Sequence, residues 1–458
     1  MDVDLINEAL FSHAIDPATL FFRLRALAIA PFKFPVSFGL TILPEEPGII
    51  LIRGARQYGK STWLEQQALS SVQKFGPGST AYLNSDELTD SEDLLARIKV
   101  LIAAMRTDVC RRLFIDEITA VDKWERARKI AADSGVIRDV LVVTTGSRAT
   151  DIRRGEERLP GRKGKLARTN YIFTPVSFVD FKATVGKQFR PLPTQKIPAL
   201  QNDASGQPLS ELAIIYLLSG GSPVALSELL LKGEIPEWVI AMTRDWIVGE
   251  FSRTGRNRSS LLALIEKIYK QAMNPVGYTQ LARDSGLANN TIVAEYIELL
   301  TDLMSVAPCF AWDQHKRVLI RRKPAKFHFI NLLAAVSFSP MRLRTVNQFR
   351  ALSPVQQSPW LEWLVAQELW RRRALIGEEQ PELLAYWQTK EHEIDFVNCS
   401  SVTNRDELWE VKRGAVSALE FSWFKQNFPG NRLTVVSSAK FNAPQIEGIS
   451  FDSFLERR

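Results

Sequence analysis

Short apolar runs punctuate the first third of the chain, at 49–52, 81–83, 113–115 and 140–143. Runs of this length, rich in Ile, Val, Leu and Phe and closed by Gly, Asp or Thr, predict strands buried on both faces. The stretches 62–69 and 91–106 carry apolar residues at helical spacing and predict helices between those strands. Such alternation predicts an α/β domain built on a parallel sheet. Residues 1–46 read as helical and then extended, leading into the first strand. Residues 188–210, rich in Pro, Gln, Asn and Ser, read as a linker, and helical stretches at 209–231 and 238–251 follow. Polar residues 252–260 mark a joint. Three closely spaced helices are predicted at 259–273, 278–286 and 289–304, the third with Ile292, Tyr296, Leu299, Leu300 and Leu303 on one face. The basic run 316–323 then reads as a hairpin. Towards the C-terminus, 361–369 predicts a helix, and 393–397 and 407–412 predict strands.

The turn after the first strand carries the clearest chemistry. Gly54-Ala55-Arg56-Gln57-Tyr58-Gly59-Lys60-Ser61 is a complete G-x-x-x-x-G-K-[ST] phosphate loop, set between an apolar strand and a helix that continues from Thr62. The glycines let backbone N–H groups wrap a polyphosphate, and the helix N-terminus adds partial positive charge. In this pattern Lys60 reaches the β- and γ-phosphates and the Ser61 hydroxyl ligates Mg²⁺. The strand ending in Phe114-Ile115-Asp116-Glu117 supplies the second half: Asp116 would hold the Mg²⁺ shell and Glu117 would polarise the attacking water. An apolar run ending in Asp-Glu is common by itself; its place after a phosphate loop makes it a catalytic candidate. The strand at 140–145 runs into Gly146-Ser147, so Thr145 and Ser147 either sense the γ-phosphate or simply cap the strand. ATP and Mg²⁺ are the expected cofactors.

Composition narrows the picture only modestly. A chain of 458 residues, 45% hydrophobic and 24% charged, fits an ordinary globular protein of two to four domains. A net charge of +7 permits contact with nucleic acid or an anionic surface without requiring either. Cys110, Cys309 and Cys399 show no C-x-x-C spacing, and the acidic N-terminus lacks a leader pattern. No apolar run reaches membrane-spanning length. A reducing, cytoplasmic setting without membrane contact is the expectation. The stretch 148–168 is strongly basic; an arginine finger, a loop on DNA phosphates or a merely solvated face would each fit it.

In the second half, the helix–Gly turn–helix at 278–304 with its basic hairpin reads as a winged helix. Its third helix and wing would contact duplex DNA, or the module would serve only in packing. Further on, strand alternation puts Glu410 and Lys412 on one face, about 15 residues after Asp395, with Glu362 on a preceding helix. Two carboxylates that hold Mg²⁺ and a lysine that steadies hydroxide make up the PD-(D/E)XK nuclease pattern. Glu-x-Lys alone is weak; the added acids strengthen it.

Gly54 to Ser61, Phe114-Ile115-Asp116-Glu117-Ile118 followed by Trp124, and Thr145-Gly146-Ser147 together resemble a bacterial and archaeal AAA-type, STAND-like P-loop ATPase family. Its members read roughly G-P-R-Q-x-G-K-T, L-D-E-I-Q followed by Trp, and T-G-S-S. Ala55 for Pro, Ser61 for Thr and Arg148 after the Gly-Ser are departures, and none removes a catalytic group. Leu159-Pro160-Gly161-Arg162 resembles the family's L-x-G-R, which makes Arg162 the implied arginine finger towards a neighbouring subunit. Thr174-Pro175-Val176-Ser177-Phe178 resembles P-L-S-F, and Pro324 to Phe329 resembles p-K-l-Y-f. Gly221-Ser222-Pro223 resembles a G-x-P that packs on adenine; a helix-ending turn is the other reading. The C-terminal run resembles the family's E-x-x-V-x-x-E-L, E-V-D-F-V and E-V-K, with Gln388 where similar proteins carry Arg. The resemblance spans roughly residues 20–437.

The expected fold class is therefore α/β: an AAA-type P-loop NTPase domain with a parallel sheet (1–187), a linker and helical lid (188–257), a winged helix (258–345) and an α/β PD-(D/E)XK-like domain (346–458). Nucleotide-binding residues are expected at Gly54, Ala55, Arg56, Gln57, Tyr58, Gly59, Lys60, Ser61, Thr62, Asp116, Ser147 and Pro223. Catalytic roles fall to Lys60, Glu117 and Arg162, and to Asp395, Glu410 and Lys412. Metal ligation falls to Ser61 and Asp116, and to Glu362, Asp395 and Glu410. The expected activity is ATP hydrolysis coupled to a DNA-binding domain, with Mg²⁺-dependent cleavage left open. The alternative is an ATP-driven assembly switch whose C-terminal part binds nucleic acid or protein without cleavage, with a homo-oligomer or a protein partner in view.

Overall fold

The computed structural model describes residues 2–12, 16–146, 166–188, 208–378, 380–399 and 406–457. They divide into two compact units, 1–33 with 37–174 and 34–36 with 175–458. The expected boundaries at 257/258 and 345/346 do not separate units, and the first unit ends ahead of 187.

In the first unit the four apolar runs form parallel strands β1 (Gly48–Arg53), β2 (Thr80–Asn84), β3 (Arg111–Asp116) and β4 (Val140–Gly146), and a fifth parallel strand that was not expected, β5 (Asn170–Ile172), joins them. Their order is β2-β3-β4-β1-β5, so β4 lies between the strand that feeds the phosphate loop and the strand that ends in Asp116. β3 and β4 are buried almost along their whole length because helices cover the sheet, which is why they read as continuous apolar runs. Leu94, Ile98, Leu101 and Ile102 of helix Ser91–Ala104 pack with Leu113, Ile115 and Trp124 in one core. That helix is capped by Asp90, whose carboxylate accepts from the backbone N–H groups of Glu92 and Asp93. The edge strand β2 is covered by helix Val3–Ser12, whose Asn7 accepts from Tyr82 N at 2.8 Å and donates to Tyr82 O at 2.7 Å.

The second unit holds the remaining helices and two mixed sheets. Helices Arg258–Lys270, Tyr278–Ser285 and Asn290–Asp302 follow one another as expected, with Asn289 capping the third through a bond to Ile292 N. They lead into β6 (Val306–Asp313), β7 (Val318–Ile320) and β8 (Lys326–Phe329). β6 is buried over seven of its eight residues and needs partners on both edges. It takes β7 and β8 on antiparallel ladders and β9 (Leu384–Gln388) on a parallel one. The hairpin and the C-terminal segment therefore share a sheet across 345/346. Trp312 of β6 joins Trp387, Leu408 and Leu433 in a single core.

The long helix Pro354–Ile376 opens with a capping box between Ser353 and Gln356 and with Pro354 in its first turn. It extends well beyond the predicted 361–369, and it is buried on every side from Trp360 to Leu369, so an amphipathic pattern could not mark its ends. β10 (Glu393–Ile394) pairs with β9, whereas β11 (Phe396–Cys399) pairs with β12 (Asp406–Val411) in the other sheet. The chain thus changes sheets at Asp395. β13 (Leu433–Ser437), β14 (Phe441–Ala443) and β15 (Ile446–Ser450) complete the order β11-β12-β13-β15-β14.

Candidate functional site

β1 delivers the chain into the loop, and helix Lys60–Phe75 begins directly after it. Gly59 has φ +99°, a region open to glycine but strained for other residues. A Cβ at Gly54 would lie 2.8 Å from the Cβ of Phe173, so only glycine fits there without a shift. Lys60 is buried, and its ammonium donates to the carbonyl oxygens of Gly54 and Ala55 at 2.8 and 2.7 Å. Burial lowers its pKa, against the pull of Glu117 and Asp116. A desolvated lysine satisfied only by neutral carbonyls gains from an anion placed in the loop.

Asp116 is fully buried at the end of β3. Its Oδ1 accepts from Ser61 Oγ at 3.1 Å and from Thr145 Oγ1 at 2.6 Å. Thr145 Oγ1 also accepts from the backbone N of Glu117 at 3.1 Å. The Thr145 hydroxyl is thereby committed to the Asp-Glu turn, where it positions both acids; the alternatives of phosphate sensing and strand capping described only part of this. Glu117 sits at φ +51°, an uncommon backbone state for a non-glycine residue and one that recurs at functional sites. The structure brings Ser61, at the end of the loop, together with Asp116 and the Glu117 backbone.

Two residues that the sequence did not single out join this group. Arg23, in helix Phe22–Ile29, lies 2.8 Å from Glu65 Oε1 and 3.5 Å from Asp116 Oδ2. Glu65 is fully buried one turn after Ser61, and its Oε2 has no hydrogen-bond partner among the described residues. An acid at an inward position, flanked by the core residues Leu64 and Ala68, was the available signal for Glu65. Arg23 lies far away in sequence and had none.

Ser147 and Arg162, with the basic stretch around Arg162, lie outside the described residues. Pro223 begins helix Pro223–Lys232, in the second unit, with Ser222 at its N-cap. The preceding Gly221 packs so tightly that a Cβ there would meet Pro175 Cβ and Val176 O at 2.8 Å.

The second constellation gathers around a residue that was not predicted to act. Lys326, at the start of β8, is 1% exposed, and its ammonium lies 3.0 Å from Asp395 Oδ1 and 3.5 Å from Glu362 Oε1, and against Glu393 Oε1. Asp395 Oδ2 accepts from Val411 N at 2.9 Å, and Glu410 Oε2 from Asp395 N at 3.1 Å. Lys412 Nζ lies 2.5 Å from Glu410 Oε1, so the predicted pair does share a face. Glu362 and Asp395 thus meet at the Lys326 ammonium, and Glu410 and Lys412 pair beside them. Among the described residues no group of three or more His, Cys, Asp or Glu side chains is arranged to hold a metal ion. Within the expected Mg²⁺ set Glu362–Asp395–Glu410, Lys326 contacts Glu362 and Asp395, and Lys412 contacts Glu410.

Burial pushes the Glu362 and Glu410 carboxyls up to about 8, helped by the charge of Asp395. Burial also opposes ionisation of Asp395, but Lys326 and Lys412 outweigh it and hold that carboxyl below its usual range. A raised carboxyl binds its proton more tightly in the folded state. Its contribution to stability is therefore complete below the unfolded value of 4.5 and is lost as pH rises through about 8. Asp395 acts in the opposite sense, at the acid end. The melting temperature of the 175–458 unit should therefore fall as pH rises from about 4.5 to about 8. Glu362→Gln should flatten that fall, and a profile identical in variant and parent would refute the placement of the proton.

The helix Asn290–Asp302 contains no Lys or Arg, and its exposed positions include Glu295 and Glu298. The face expected to meet DNA thus carries no cation of its own, and Glu295 is paired with Arg256 at 3.4 Å. Lys316, Arg317, Arg321, Arg322 and Lys323 of the hairpin are exposed, with Arg317 bound to Asp406 at 2.8 Å. No helix among the described residues is long and apolar enough to cross a membrane.

Comparison with known proteins adds to this geometry. Residues 46–182 match the AAA domain family. No curated protein matches the chain. Among solved structures, the chain is similar to the Walker-type ATPase PABY2304 of Pyrococcus abyssi at 13% identity, covering 72% of this chain and 97% of that one with a TM-score of 0.39. It is also similar to the ORC2 protein of Aeropyrum pernix, in ADPNP–ADP complexes, at 12% identity, covering 72% and 96% with a TM-score of 0.35. Superpositions this loose carry no argument about function. The family match and the loop geometry agree: residues 46–182 match the AAA domain family, and the chain carries a P-loop domain that binds and hydrolyses ATP.

Proposed function

We propose that the chain is an ATP-driven switch that contacts DNA through its basic hairpin, with the C-terminal segment acting as a binding module and not as a nuclease. The observation behind the switch is the bonded path from Ser61 through Asp116 to Thr145 and Glu117, which links the loop to the ends of two central strands. Ser61 and Asp116 would hold Mg²⁺; their hydroxyl and carboxylate converge within 3.1 Å and suit a hard, oxygen-seeking cation. Bound there, the ion would draw charge from the phosphate oxygens. Lys60 would exchange two carbonyl partners for phosphate, and Glu117 would accept a proton from the attacking water. By family resemblance, Ser147 would meet the γ-phosphate, Pro223 the adenine, and Arg162 the nucleotide of a second copy in a homo-oligomer.

The DNA reading rests on the hairpin alone. Lys316, Arg322 and Lys323 project from a narrow β-ribbon with no acid between Lys316 and Lys323. Replacing these three by Ala should weaken binding to duplex DNA across sequences. It should also lower the salt slope by about one for each phosphate no longer engaged. Fluorescence anisotropy over a salt series checks this, together with DNA stimulation of ATP turnover. Unchanged affinity in the triple variant would remove DNA as the partner and leave a protein partner for the switch.

A further inference from the structure

We infer that Lys326 is the resident cation of the carboxylate cluster and occupies the place a divalent metal would need. This goes beyond the switch reading, since it concerns what the cluster holds and not what the hairpin touches. An ammonium has three donors. Lys326 faces three carboxylates, those of Glu362, Glu393 and Asp395, each from a different part of the fold: the long helix, β10 and the point where the chain changes sheets. Of the oxygens that would grip a metal, those of Asp395 and Glu410 are committed. Asp395 gives Oδ1 to Lys326 and Oδ2 to Val411 N, and Glu410 gives Oε1 to Lys412 and Oε2 to Asp395 N.

The lysine is held in place as firmly as its partners. Its Cα pairs with Cys309 in the ladder between β8 and β6, and the ring of Tyr386, on β9 at the other edge of β6, is centred 5.6 Å from the ammonium. A rotamer change alone would therefore move the charge into packed protein. A dication placed among the same acids would meet the ammonium at close range in a dry site, where like charges repel strongly.

His328 shows what the cluster would become without this lysine. It lies two residues further along β8 on the same face, is fully buried, and has no hydrogen-bond partner at either ring nitrogen among the described residues. Its Nδ1 is 3.7 Å from Glu362 Oε1. Remove the ammonium, and a neutral imidazole stands beside Glu362 and Asp395, a nitrogen-and-carboxylate set that suits Mn²⁺ or Zn²⁺.

The test is a Mn²⁺ titration of the nucleotide-free full chain, read by electron paramagnetic resonance of the free ion. An Asp116→Asn background silences the phosphate loop. This parent should show no saturable Mn²⁺ site at millimolar concentrations. Lys326→Met should create one site, at least about tenfold tighter than any residual binding, and adding Glu362→Gln should abolish it. Stoichiometric binding by the parent that is lost with Asp395→Asn would overturn the inference. So would a folded Lys326→Met chain that binds no Mn²⁺. If Lys326→Met does not fold, the parent titration still decides, and Lys326→Arg, which keeps the charge, should fold and stay free of Mn²⁺. None of these readouts depends on ATP or DNA, so failure here is distinct from failure of the switch.

Discussion

A Glu117→Gln chain should hydrolyse ATP about 10²–10³-fold more slowly while still binding it. The amide keeps the shape of the side chain and leaves the backbone bond from Glu117 N to Thr145 Oγ1 in place, so the turn at φ +51° has no reason to relax. What disappears is the group that takes the proton from water. Lys60→Ala provides the contrast. It removes the buried ammonium that now rests on Gly54 and Ala55, and should abolish ATP binding along with turnover. Single-turnover hydrolysis and equilibrium binding of a fluorescent ATP analogue separate the two effects. Near-parental turnover in Glu117→Gln would remove Glu117 as the base.

Arg371→Met should destabilise the 175–458 unit by about 3–5 kcal/mol. Glu368 is fully buried on the long helix, with Arg371 Nη2 at 2.9 Å and the Tyr216 hydroxyl at 2.6 Å. Burial opposes ionisation of Glu368, but Arg371 and Arg372 outweigh it and hold the carboxyl below its usual range. Removing Arg371 leaves that charge in a dry core with its directly bonded cation gone and the neutral Tyr216 hydroxyl still beside it. Replacing both partners, Glu368→Leu with Arg371→Met, should recover most of the loss, because the pair itself contributes little net stability once its desolvation is counted. Urea unfolding followed by tryptophan fluorescence measures both. A single-variant loss below about 1 kcal/mol would mean that water reaches the pair.

How much the sequence alone determined differs between the two units, for a physical reason. In the first unit, Gly54 to Ser61 and the run ending in Asp116-Glu117 carry their chemistry within continuous stretches. Buried parallel strands leave an apolar signature, so β1 to β4, the loop and the acids were legible from residue order alone, whereas β5, only three residues long, was not. The order of those strands in the sheet was not, because it depends on which β-edges meet. Nor was the approach of Arg23 to Asp116, which joins segments remote in sequence. In the second unit, Asp395, Glu410 and Lys412 were legible as a motif and do assemble. Their chemical character was not, because it turns on Lys326. That lysine stands in a basic region where a solvated side chain is the ordinary expectation. Only the pairing of β8 with β6, and of β6 with β9, carries its ammonium into the acids. The acidic exposed face of Asn290–Asp302 was written in the sequence, but only packing decided which of its residues face solvent. Local patterns specify groups whose function lies within one turn or one strand. Charges that meet across a core are specified by tertiary structure, because the free energy of a buried cation depends on every carboxylate around it.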